Sequence, residues 1–141
     1  MAITQSLATS FKVELYQAIH DLTAAGDTIK LALFDVDATL GPTTTAYSTT
    51  NEVVGAGYSA GGVTLTQVEP MSSGTTAWVD FANVTFSTVT VSARGGLIYN
   101  SSKSDRAIAI LDFGYTITRA AADLVVKFPA GDAENAIVRT L

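Results

Sequence analysis

A chain of 141 residues with 48% hydrophobic and only 15% charged residues has the size of one domain and buries roughly two-thirds of its unfolded surface. It contains no cysteine, which excludes disulfides and cysteine-ligated zinc. Its net charge of -5 argues against affinity for a phosphate backbone, which depends on Lys and Arg. So little charge, on a polar remainder of Thr, Ser and Gly, suits a subunit inside an assembly better than a free monomer.

The N-terminal MAITQSLATS has neither a basic start nor an apolar core, so no secretory signal is predicted. No apolar run approaches the roughly 18 residues of a membrane helix, and no membrane contact is expected. Residues 1–9 read as an N-terminal arm, with Ile3 and Leu7 as its large apolar groups. It is either a frayed terminus or a segment that orders on a neighbour. Residues 10–141 read as a single domain. From Ser10, Phe11, Leu15, Ile19 and Leu22 recur at helical spacing, Ser10 suits an N-cap and Gly26 a stop, which predicts one amphipathic helix lying against a sheet.

Beyond Gly26 the pattern is β. Ile29, Leu31 and Leu33 alternate in Thr28–Phe34, which ends at the acidic turn Asp35-Val36-Asp37. Residues 38–62 are too rich in Gly, Thr and Ser for a core element, yet Tyr47, Val53, Val54 and Tyr58 can anchor them. They read as a long ordered connection with a short helical turn near 50–53, and its expected role is contact with another subunit. Strands follow at 63–69, 77–82 and 84–93. In the last, Val84 and Phe86 share one face and Val89 and Val91 the other, so a bulge near Ser87-Thr88 is predicted, as where a strand crosses between sheets.

Arg94 to Gly114 holds the longest apolar run, folded about the polar turn 100–106. Both faces of each arm are apolar, so the segment reads as a central hairpin covered on both sides, with an exposed tip. Alternation around Leu124, Val126 and Phe128, and a final strand at 136–141, bring the count to eight or nine strands. The predicted fold class is mainly β, a β-sandwich or jelly-roll-like domain with one N-terminal amphipathic α-helix.

The residues point away from catalysis. His20 sits near the predicted helix end, where the helix dipole accounts for it. Asp35 and Asp37 grip a cation weakly if at all and read as a solvated turn. Gly55-Ala56-Gly57-Tyr58-Ser59-Ala60 satisfies the dinucleotide fingerprint in spacing but precedes a strand rather than a helix, so its glycines read as a close backbone path beside another chain. Arg94, Lys103 and Arg106 are neutralised by Asp105 and Asp112. Trp78, Phe81 and Phe86 read as core filling rather than a carbohydrate platform. Neither the two Asn-X-Ser/Thr acceptors, at Asn83 and Asn100, nor any other motif requires a cofactor, a metal or a small-molecule substrate.

Three stretches, SFKVELYQAIHDLTAAGDTIKLALF from Ser10, the TNEVVGAGY core of Tyr47–Gly62, and RGGLIYNSSKSDRAIAILDFG, resemble small virion structural proteins of tailed bacteriophages. The resemblance covers nearly the whole chain. It implies a non-enzymatic decoration (cement) protein, made in the host bacterial cytoplasm and bound to the capsid surface. The implied partners are the major capsid protein and further copies of itself, a trimer being one arrangement. A neck, tail or head-fibre component of the same virion is the alternative, and a glycan-binding adhesion module a further one. Ile3, Tyr47, Asn51, Glu52 and Tyr58, in the arm and the long connection, are the candidate subunit-interface residues.

Overall fold

The computed structural model describes residues 2–140. Their elements run β1 (Ser6–Leu7), α1 (Thr9–Tyr16), β2 (Ile29–Phe34), β3 (Val63–Thr64), β4 (Gln67–Ser73), β5 (Thr76–Phe81), β6 (Val84–Asn100), β7 (Arg106–Val126) and β8 (Val138–Thr140). The protein is mainly β. A five-stranded antiparallel sheet, ordered β1-β7-β6-β2-β3, and a three-stranded sheet, β4-β5-β8, form a sandwich-like arrangement. The last residue of the predicted final strand, Leu141, lies outside the described residues.

The apolar hairpin is the centre, as its two greasy faces require. Gly95 to Asn100 and Ala107 to Leu111 are buried without a break, β6 lying between β7 and β2. On one face, the side chain of Ile3 sits over Gly95 and the ring of Tyr47 stacks on Tyr99, centroids 4.6 Å apart. On the other, Asn100 meets His20, whose ring leans on Phe11. The hairpin is much longer than its apolar part. Val84–Ala93 continues directly into it, and β7 runs on to Val126. The predicted bulge is present: pairing with β7 slips between Phe86 and Val89, Thr88 takes a φ of 50°, and its amide is held by Asp123 Oδ1. Phe86, Val89 and Val91 are thereby all buried. The bulge restores the core phase within one sheet, and the chain crosses between sheets in the connections at 65–66, 82–83 and 127–137 instead.

Three expectations are corrected. The arm is not loose. Thr4 donates its amide to Leu40, Ser6 and Leu7 pair with Ile110 and Ala109, and Ile3 is buried. The helix stops at Tyr16 rather than near Leu22, and its N-cap is Ala8, Ser10 lying inside it. Ala18, at φ 56°, takes the left-handed role glycine usually fills, and the chain then turns inward so that His20 and Leu22 reach the core by their own path. The hairpin tip is likewise packed: Ser101 donates its amide to Thr28, and Asn100 is fully buried.

Candidate functional site

The long connection 38–62 has almost no regular structure, yet one carboxylate organises it. A bridge to Phe34 places Glu52 at the end of β2, where its side chain is buried. Tyr47 donates its hydroxyl to Oε1 at 2.7 Å. On Oε2, the Tyr58 hydroxyl donates at 2.6 Å and the Gly61 amide at 2.8 Å. Tyr58 Oη also accepts the amide of Leu33 at 3.0 Å, and the Tyr99 hydroxyl donates to the Gly61 carbonyl at 2.6 Å. Burial, with the neighbouring carboxylate second, pushes the Tyr47 and Tyr58 phenols far above their ordinary value, and burial pushes Tyr99 up to about 12. All three phenols are therefore permanent donors near neutral pH.

This arrangement ties the connection to the sheet. Both carboxylate oxygens of Glu52 accept from donors of its own chain, and the residue joins Tyr47, Tyr58 and Gly61 to the end of β2. Backbone bonds complete the attachment: Val53 to Leu33, Asp35 to Asn51, Tyr47 to Asp105 and Ala107 to Thr45. The glycine-rich turn is fixed in the same way. Thr90 donates its amide to Ala56, and a Cβ on Gly55 would overlap the Thr90 carbonyl oxygen. The close backbone path predicted beside another chain is thus a path beside the protein's own β6.

Of the five predicted interface residues, Tyr47, Glu52 and Tyr58 come together in one internal cluster and Ile3 is buried under Gly95. Their side chains are committed to the subunit itself. Asn51 alone is exposed, at φ 61°, with its Nδ2 donating to the Asp37 carbonyl. It stands on the rim of an open cleft with Thr39, Thr43, Thr45, Ser48 and Thr50. The exposed surface of the connection carries no charge, since Glu52 is the only charged residue of 38–62 and it is buried.

The other candidates are structural too. Asp35 Oδ1 accepts the Asp37 amide at 2.9 Å in a local turn, and no group of three His, Asp or Glu side chains converges on one point among the described residues. Asn100 Nδ2 donates to His20 Nδ1 at 2.9 Å, which leaves Nε2 protonated and donating to Glu14 Oε1 at 2.8 Å. Arg106 reaches the other oxygen of Glu14 at 3.4 Å. Asn100 also bonds Asp27, and Lys103 pairs with the same carboxylate at 2.8 Å. Burial alone would raise the Asp27 carboxyl, but bonds from Asn100, the Asp21 amide and Lys103 outweigh it and bring it down to about 2. Of the expected basic patch, Arg94 pairs with Asp112 at 3.1 Å as predicted. Lys103 and Arg106 are neutralised by Asp27 and Glu14 rather than by Asp105.

Sequence reasoning did not reveal that Asn100, His20 and Asp27 belong together. The available signal was an Asn and a His, both polar, each beside an apolar run. No helix among the described residues is long and apolar enough to cross a membrane. Comparison with protein-family models, with curated proteins and with solved structures found no match.

Proposed function

We propose that the protein is a non-enzymatic structural component of a tailed-phage virion, a decoration protein that binds the outer surface of the head and stabilises the shell. One observation carries the reading furthest. A long irregular segment is immobilised by a buried carboxylate and three tyrosines, and the surface it then presents is rich in hydroxyls and free of charge. A connection that merely spanned two strands would not need this anchoring. Rigid, uncharged surface loses little entropy and little ionic solvation on docking, which suits a contact repeated over a lattice. Many such contacts acting together resist internal pressure even where each is weak.

Mixing the purified protein with undecorated, expanded heads and imaging them by electron microscopy tests this. Ordered density at symmetry positions on the outer shell is the expected result. Bare shells, with the protein found at the portal vertex, along the tail or on a head fibre of intact virions, would move it to those stations. Replacing Thr43 and Thr45 by Glu puts charge on the exposed rim without touching the cluster beneath. Occupancy should fall at least tenfold, and unchanged occupancy would remove this face from the contact.

A further inference from the structure

The boundary between the two sheets holds a cleft, between α1 and β8, that the described side chains leave open. α1 is tied to the five-stranded sheet: the Ala8 amide, at its start, donates to the Ile108 carbonyl, and Arg106 reaches Glu14. β8 belongs to the three-stranded sheet and pairs with β5. No hydrogen bond joins α1 to β8 among the described residues. With each wall fixed to its own sheet, the gap between them cannot close as interior voids usually do.

Residues four apart on a helix share a side. Phe11 and Leu15 therefore line the cleft through its whole depth, whereas Lys12 and Tyr16 stand only at its outer part. Opposite them, Val138 and Thr140 share one face of β8. The outer part has a volume of about 520 Å³. It leads inward to a narrower part of about 110 Å³, bounded by Leu22, Ala77 and Val79. Sites for small ligands span roughly 300–1,000 Å³ and are apolar with a few polar groups. Arg139 borders the cleft too, but it opposes Trp78, out of phase with Val138, so its side chain lies on the other face of the sheet. There Nη1 is held on the Ala133 and Glu134 carbonyls. Lys12 is thus the cation at the mouth. It is exposed, and its ammonium has no ion pair among the described residues. On a chain with 13 acidic residues, no acidic side chain lines either part.

We infer that this cleft binds a small amphiphile with one carboxylate head and an unbranched apolar tail, of the class of medium-chain fatty acids. The tail lies along Phe11, Leu15 and Val138 and ends in the narrow part, removing apolar surface from water on both sides. The head meets the Lys12 ammonium at the mouth, where opposite charges attract. The sign of that charge selects the ligand, since a cationic amphiphile of the same length is repelled there. The width of the inner part selects it as well, because a peptide helix is roughly 10 Å across and a single methylene chain is far thinner. The lining shares no residue with the connection 38–62, so the inference does not rest on the virion reading.

Calorimetric titration of the purified full chain with sodium decanoate, kept below its micelle concentration, should show saturable binding of one ligand per chain. In nitrogen-15 spectra the amides that move should be those of 11–16 and 138–140. Decyltrimethylammonium should bind at least tenfold more weakly. Lys12→Glu changes an exposed side chain, should leave the circular dichroism spectrum unchanged, and should reverse the order of the two ligands. Leu15→Glu sets a charge on the wall common to both parts and should abolish decanoate binding with the same spectrum. The absence of saturable heat, amide shifts centred away from the cleft, or a ligand order that Lys12→Glu leaves unchanged would overturn the proposal.

Discussion

Glu52 shows how one residue can decide the shape of a segment that has no regular structure of its own. Its two oxygens accept from two phenols and one amide, so no other side chain of similar size satisfies the site. Glu52→Gln turns an acceptor into a donor facing a donor and should cost on the order of 2 kcal/mol in urea unfolding. Glu52→Ala leaves three donors unpaired and should cost more, on the order of 3 kcal/mol. Tyr47→Phe removes one donor and should cost about 1 kcal/mol; a neutral result for all three would mean the cluster does not hold the connection. Asp27 gives a second residue-scale expectation, this time in pH. Its folded value of about 2 lies below the ordinary carboxylate value near 3.9, so the unfolded chain takes up the proton first as pH falls. The stabilisation is complete above about pH 5 and is lost as pH falls through the folded value; it amounts to about 2 kcal/mol. Between pH 5 and pH 2 the protein should therefore lose about 2 kcal/mol more than Asp27→Asn does, and parallel profiles would show that the carboxylate is not tuned by its partners.

At the scale of elements, the glycines separate close approach from conformational freedom. Gly55 lies where a Cβ would overlap the Thr90 carbonyl, whereas Gly74 has φ 58° and open space around it. Gly55→Ala must push the connection off β6, costing about 1–3 kcal/mol by overpacking, and amide exchange should quicken across residues 52–62. Gly74→Ala pays only the left-handed backbone cost of about 1 kcal/mol and should leave exchange in the connection unchanged. Equal exchange in the two variants would show that the turn is not pinned against β6. The same elements show what a sequence can and cannot disclose. The central hairpin and the bulge at Thr88 were legible because burial imposes alternation, and a slip of phase records the bulge. The length of β7 was not, because Tyr115 to Asp123 is mostly exposed and solvent imposes no alternation. The helix end was misread because Ile19 and Leu22 continue the helical spacing although the chain leaves the helix at Ala18. Tyr47, Glu52 and Tyr58 were legible as special residues of the connection, but not as partners of one another, since no periodicity links a glutamate to tyrosines on either side of it. Their role inside the subunit appears only when β2 supplies the surface on which they meet.

For the whole molecule, the distribution of charge matters more than its sum. The net charge is -5, yet several of the charged side chains are engaged with one another: Arg94 with Asp112, Lys103 with Asp27, and Arg106 with Glu14. The connection 38–62 adds no exposed charge. A docking face built from that connection gains nothing from long-range attraction, so its association rate should stay in the ordinary range for unsteered partners. Salt screens exposed charges over about 10 Å at 0.1 M and far less distance at 1 M, but has little to act on in a contact made by Thr, Ser, Asn and Gly. Occupancy on expanded heads should therefore change less than threefold between 0.05 and 0.5 M sodium chloride, measured by pelleting heads and quantifying the bound protein. A tenfold or greater loss of head binding over that range would place the contact on the charged remainder of the surface and away from the connection.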